Sequence, residues 1–372
     1  MQELLRPIKV GRYELRNRVV MAPMQRARND ADRVPTPIVA QYYVQRASVG
    51  LMITEASSVS PLSVGRPGAA ANFRPVQAEG WKRVASAVHA AGGLIFQQLY
   101  HLGRKSDPSR MPDGATPVAP SAVPANGQIA GANGPIPFAT PRPLETAEIP
   151  GVVAEFERAA QNAYLAGMDG VELHGANGYL VDQFLRDGTN RRADRYGGSA
   201  ANRARLLLEI VAALIGVFGA DRVGVRLSPH FRVDGIADSD PAATFGHVAA
   251  ALGERRIAYL HLIEAAGPGL PQSPAAGVPY LAAPLRQAFG GPLIVNGGYT
   301  NATANAAIRS GTADLVSFAA LVIANPDLPE RFRRGATLND PDRATFYDGG
   351  DKGYIDYPAL DVGQAAFTPA RP

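Results

Sequence analysis

The sequence predicts a single (β/α)8 barrel, and three observations predict it. Eight short runs of aliphatic and β-branched residues recur along the 372 residues, separated by longer segments, several of them amphipathic with helical spacing. Most of these runs are apolar without alternation, as expected of strands covered on both faces. The third observation is a missing signature. A doubly wound sheet would carry a glycine-rich phosphate loop after an early strand, but here the first strand is followed by APMQRARND.

Taken in order, residues 6–18 (PIKVGRYELRNRV) read as a hairpin that precedes the barrel and plugs its floor. The first strand lies at about 18–23 (RVVMAP), followed by the helical stretch TPIVAQYYVQRAS, where Pro37 after Thr36 marks a helix start. A second strand at about 51–54 (LMIT) precedes the helix AEGWKRVASAVHAA, and a third lies at about 94–97 (LIFQ). Residues 103–150 are too long for an ordinary loop and are rich in Pro, Gly, Ala and Ser. They leave from a strand's C-terminal end, so they read as a lid-like insertion over the barrel mouth within one domain spanning 1–372. The helix VVAEFERAAQNAYLAG leads to a fourth strand at about 169–173 (DGVEL), and ANRARLLLEIVAALIGVFG to a fifth at about 223–227 (VGVRL). The last three strands lie at about 257–262, 292–295 and 313–317.

Composition bounds the chemistry. With no cysteine, the chain has no disulfide, thiolate metal site or cysteine nucleophile. The formal net charge is +4, and the arginines are scattered among acids rather than clustered, which argues against a nucleic-acid surface. No continuous apolar run suits a signal peptide or a membrane span, so a cytoplasmic protein is expected.

In such a barrel the active site is built from the C-terminal ends of the strands. The fourth strand's apolar run stops at His174, with Asn177 and Tyr179 close behind; Gln98, Tyr100, His101 and Arg226 end other strands. A shared pocket of neutral hydrogen-bond donors and one arginine explains that change. For His101, bracing the loop after the third strand is the plain alternative. No Ser/His/Asp order and no metal-ligand set is present.

The stretch VELHGANGYLVDQFLRDGTNRRADRYGGS (171–199) resembles the signature of the old yellow enzyme family of flavin-dependent ene-reductases. NRVVMAPM (17–24), ITEAS (53–57), QLYHLGR (98–104), VGVRLSP (223–229), IVNGGYT (294–300), IANPDLPERFRRG (323–335) and GYIDYPAL (353–360) extend the likeness over nearly the whole chain. The resemblance implies FMN at the strand C-termini, NADH or NADPH as hydride donor, and small activated alkenes as substrates. It implies that His174 and Asn177 hold the substrate's carbonyl or nitro oxygen and that Tyr179 donates a proton. Pro23, Met24, Gln25, Ala56 and Gln98 would line the isoalloxazine ring, with Arg226 at its N1/C2 edge. Gly297 and Gly298, with Ala319 and Ala320, would offer N–H groups to the phosphate. Tyr100 and Tyr354 would complete the substrate pocket.

Three positions depart from the family pattern. Gln25 replaces a threonine near the flavin, Tyr100 replaces a tryptophan, and Ala319–Ala320 replaces Gly-Arg, which removes the usual phosphate-binding arginine. A second reading rests on that last change: a flavin-poor barrel that binds enones or phenols without efficient turnover. The missing cysteines and the length argue against a relative with an iron–sulfur cluster and a second nucleotide-binding domain.

Overall fold

The computed structural model describes residues 2–131, 134–265, 267, 273–275 and 277–360. Eight parallel strands close into a barrel: β1 (Val19–Met21), β2 (Leu51–Ile53), β3 (Ile95–Tyr100), β4 (Gly170–Gly175), β5 (Val223–Leu227), β6 (Tyr259–Ile263), β7 (Leu293–Asn296) and β8 (Leu315–Phe318). Each pairs with its sequence neighbour, and β8 returns to β1 with Val316 opposite Val19. All eight expected strands form. Two run further than expected: β3 continues past Gln97 through Gln98 and Tyr100, and β4 through His174 and Gly175. Pairing can continue because the polar side chains find partners inside. Gln97 Nε2 donates to Ser57 Oγ at 2.9 Å, and Gln98 Nε2 to Glu172 Oε1 at 2.6 Å.

Eight helices flank the strands: α1 (Pro37–Gln45), α2 (Pro75–Ala90), α3 (Ile149–Leu165), α4 (Ala200–Phe218), α5 (Pro241–Glu254), α6 (Ala282–Phe289), α7 (Asn301–Arg309) and α8 (Leu328–Arg334). Proline opens α1, α2 and α5, where its missing N–H costs nothing. Asp240 caps α5 by accepting the Ala243 N–H at 2.9 Å.

Alternate strand residues feed two cores. Val19, Met52, Leu99, Leu173, Leu260 and Val295 face outward and pack with Val84, Phe156, Leu207 and Leu252 of the helices. Val20, Leu51, Ile53, Phe96, Tyr259, Ile294 and Leu315 fill the barrel interior. Each fully buried side chain of this size contributes roughly 1.5–3 kcal/mol. The expected N-terminal hairpin pairs Ile8–Val10 with Tyr13–Leu15. Val10 and Leu15 join the inner core, so the hairpin closes the floor. The Tyr13 hydroxyl fastens it by donating to the Asp169 carbonyl at 2.9 Å.

The excursion between β3 and α3 contains a hairpin (Gln128–Gly131 with Gly134–Pro137) and a short parallel pair (Val118–Ala119 with Arg142–Pro143). It is tied across the mouth to the loop after β5. Arg104 donates to the carbonyls of Val123, Pro124 and Asp234, and the Asn126 N–H donates to Asp234 O at 3.0 Å. No helix among the described residues is long and apolar enough to cross a membrane.

Candidate active site

The C-terminal ends of the strands surround a cavity of about 530 Å³. Pro23, Met24, Gln25, Ala56, Gln98, Tyr100, His174, Asn177, Tyr179, Arg226, Ala319 and Ala320 line it. Twelve of the fifteen residues to which the resemblance gave a role therefore meet in one space.

The turn after β4 makes the central constellation. Asn177 and Gly178 are both left-handed, with φ of 59° and 70°. Asparagine and glycine tolerate this conformation best. The turn brings Asn177 back beside His174 and starts the short helix Leu180–Leu185 immediately after Tyr179. Its frame is rigid. Asp182 accepts the Gly178 N–H at 2.9 Å and holds Arg186 in a buried ion pair at 2.8 Å. Gln183 Nε2 donates to Gly178 O at 2.8 Å and Leu102 O at 3.1 Å. The Asn177 N–H is fixed by Ser228 Oγ at 2.8 Å.

The His174 tautomer follows from its contacts. Its Nδ1 accepts the Ala176 N–H at 3.2 Å, so the neutral ring carries its proton on Nε2. Burial, and the nearby charge of Arg226, hold its pKa well below the usual imidazole value. The Asn177 amide nitrogen lies 3.5 Å from His174 Nε2. Both are donors, so they do not bond to each other, and the Asn177 Oδ1 is buried without a partner. Tyr179 stands edge-on to His174, with centroids 5.0 Å apart, and Tyr100 edge-on to Tyr179 at 5.5 Å. Burial, with Tyr100 and Tyr347 adding to it, pushes the Tyr179 pKa upward.

Arg226 leaves β5 into the same cavity and donates to Asn296 Oδ1 at 3.1 Å. Its Nε is buried with no partner. Below the cavity, Glu172 accepts from Gln98 and faces His261 Nδ1 at 2.9 Å, and His261 Nε2 meets Ser317 Oγ at 2.8 Å. His101 has the bracing role: its Nδ1 accepts the Gly103 N–H at 3.0 Å, and burial lowers its pKa to about 3.

Three expected residues lie elsewhere. Tyr354 is fully buried outside the cavity. It stacks on Tyr42 of α1 at 4.2 Å, with the guanidinium groups of Arg26 and Arg28 on its ring at 4.9 and 5.0 Å. A turn ahead of it puts Phe346 and Tyr347 in the cavity wall instead. Gly297 and Gly298 are not in the wall, but they follow Asn296, which is. Their φ values of 142° and 77° suit only glycine well, and a Cβ on Gly297 would lie 2.6 Å from Glu264 O. Among the described residues, the N–H groups of Gly297, Gly298, Ala319 and Ala320 donate to no protein acceptor.

The sequence reading also missed Arg66, Ile263, Asn296 and Ile323, which line the cavity. Asn296 ends β7, so the strand-end rule could have found it. Arg66 sits in an irregular loop with no periodic signal.

The family model described as NADH:flavin oxidoreductase / NADH oxidase family matches residues 3–339. The chain belongs to this family. The flavin oxidoreductase is 44% identical to putative 12-oxophytodienoate reductase 12 of Oryza sativa subsp. japonica over 371 residues, covering 96% of this chain and 89% of that one. It is 41% identical to 12-oxophytodienoate reductase 2 of Arabidopsis thaliana, with 96% of each chain covered. Morphinone reductase in complex with tetrahydroNAD is similar in structure, with a TM-score of 0.91, 46% identity and 98% and 99% of the two chains covered. The old yellow enzyme homologue from Zymomonas mobilis matches with a TM-score of 0.92 and 43% identity, over 96% of this chain and 99% of that one. This flavin oxidoreductase is thus of the old yellow enzyme type, an FMN-dependent reductase of activated alkenes driven by NAD(P)H. Its residues fit the cofactor: the unpartnered Arg226 Nε and the free N–H groups near β7 and β8 are donors that an anionic flavin nucleotide would satisfy.

Proposed function

We propose that His174 and Asn177 form the oxygen-binding pair of this alkene reductase and that Tyr179 is its proton donor. FMN, reduced by NADH or NADPH, supplies the hydride when it is bound. Pro23, Met24, Gln25, Ala56 and Gln98 would line its ring, and Arg226 would hold the N1/C2 edge with a charge that is kept even after burial lowers its pKa to about 10. The backbone N–H groups of Gly297, Gly298, Ala319 and Ala320 would take the phosphate without an arginine at position 320.

One observation carries the reading: two neutral donors 3.5 Å apart, both in the lining of the cavity. The carbonyl or nitro oxygen of an activated alkene gains negative charge as its β-carbon accepts hydride. Donors fixed in advance favour that charge more than the neutral ground state. The α-carbon then becomes basic and takes the Tyr179 proton. Because burial raises the Tyr179 pKa, the hydroxyl keeps its proton until that moment. Nitro compounds and nitrate esters offer the same oxygen to the same donors and are further acceptors.

Tyr179→Phe tests the assignment. A positioned acid is worth about 10²–10⁴-fold. Stopped-flow traces should show alkene reduction slowed by about that factor while reduction of the holoenzyme by NAD(P)H stays near the wild-type rate. Equal slowing of both halves would make Tyr179 a wall residue.

A further inference from the structure

The cavity that holds the reacting groups is lined by two arginines and no carboxylate. Arg226 is the inner one and is accounted for by the cofactor. Arg66 is not. It lies in the loop between β2 and α2 and lines both the cavity and an outer vestibule of about 750 Å³. Gln25, Tyr179 and Tyr347 line both spaces as well, so Arg66 stands at their junction.

Its charge is unusual among the cations there. Lys105 in the vestibule is paired with Asp234, and Arg110 with Asp107. Among the described residues, Arg66 has no carboxylate within ion-pair distance. Asp348 is the one acid among the described residues that line the vestibule, and it forms no ion pair with Arg66. The Arg66 guanidinium instead stacks on the Tyr347 ring, 4.0 Å from its centroid. Arg33 pins the loop from below by donating to the carbonyls of Gly65, Arg66 and Ala69. A stacked, loop-fixed guanidinium keeps its planar edge for a bidentate anion.

We propose that Arg66 selects activated alkenes that carry a carboxylate on the side remote from the oxygen held by His174 and Asn177. This rests on the oxygen-binding role given to that pair. A substrate whose oxygen is at His174 and whose tail leaves past Tyr347 must pass Arg66. The same anion chemistry could come from the phosphates of NAD(P)H, which enters by the same mouth.

The experiment separates these sources. Holoenzyme, Arg66→Gln and Arg66→Lys are titrated with (4-hydroxyphenyl)acetate and with its methyl ester, reading the flavin absorption change. A cyclic enone acid and its ester are compared by kcat/KM, and NADH and NADPH by the rate and half-saturation of flavin reduction. At an exposed mouth the pair is worth less than a buried one, so the acid-to-ester preference should fall about five- to tenfold in Arg66→Gln. Arg66→Lys should recover part of it, and salt should erode it in the wild type. A preference unchanged by Arg66→Gln overturns the proposal, as does a loss confined to NAD(P)H, which would assign Arg66 to the dinucleotide phosphates. Failure of the oxygen-binding reading looks different: neither phenol would perturb the flavin of the wild type.

Discussion

At the scale of single residues, the site works by keeping its donors neutral. His174 is buried, faces Arg226, and has its pKa held well below the usual range. In the proposed role it would therefore bind oxygen as a neutral donor throughout the pH range in which the enzyme would work. Affinity for a neutral phenol or enone should show no step near the ordinary imidazole value of about 6.5. His174→Ala and Asn177→Ala should each weaken phenol binding, and the double change should lose less than the product of the two. Donors that share one acceptor do not act independently. The long-wavelength absorption of a phenol stacked on oxidised FMN, titrated in each variant, measures this. An unchanged band in the double variant would put the oxygen site elsewhere.

At the scale of elements, the C-terminal segment is a wall held on by arginines. Arg28 donates to the carbonyls of Thr345 at 2.8 Å, Phe346 at 3.2 Å, Asp348 at 2.6 Å and Gly350 at 3.2 Å. Arg26 adds Phe346 O and Gly353 O, at 3.0 and 2.7 Å. Removing Arg28 strands several carbonyls at once, each costing about 1–3 kcal/mol if it stays buried. Arg28→Ala should therefore let residues 343–355 open while the barrel stays folded. Limited proteolysis should cut there first, and phenol binding should weaken because Phe346 and Tyr347 leave the wall. An unchanged cleavage pattern would sink the idea. This clamp also explains where the sequence could and could not be read. Strands, hairpin and strand-end residues follow from periodicity, because the barrel imposes one geometry on every unit. Tyr354 and Tyr347 lie in an irregular segment, where arginine–carbonyl bonds decide which ring faces inward. No spacing encodes that choice, and the motif GYIDYPAL drew attention to the wrong tyrosine. Gln98 lengthened β3 for a related reason, since its partner Glu172 comes from another strand of the barrel.

At the scale of the whole molecule, buried titratable groups oppose one another in setting stability against pH. Burial lowers the pKa values of His101, His174 and His261, so the unfolded chain takes up protons below about 6.5 that the fold refuses. These three make the fold lose stability as pH falls. Glu55 acts in the other direction. It is 1% exposed, it adjoins the cavity residue Ala56, and burial raises its pKa to about 7, against hydrogen bonds from the Arg26 N–H and Asn29 Nδ2, both at 3.2 Å. Between its unfolded value of 4.5 and about 7 the folded state holds the extra proton. Stability from this group is thus full below 4.5 and lost as pH rises through 7. At roughly 1.4 kcal/mol per pH unit, the whole displacement is worth about 3 kcal/mol. Glu55→Gln mimics the protonated acid and removes the titration. Urea unfolding of wild type and variant, at one fixed FMN concentration because bound ligand itself stabilises, gives their difference at each pH. The variant should gain on the wild type by up to about 3 kcal/mol between pH values near 5 and near 8. A difference that stays flat across that range would mean Glu55 remains ionised in the fold, held by Arg26 and Asn29 more firmly than burial opposes it.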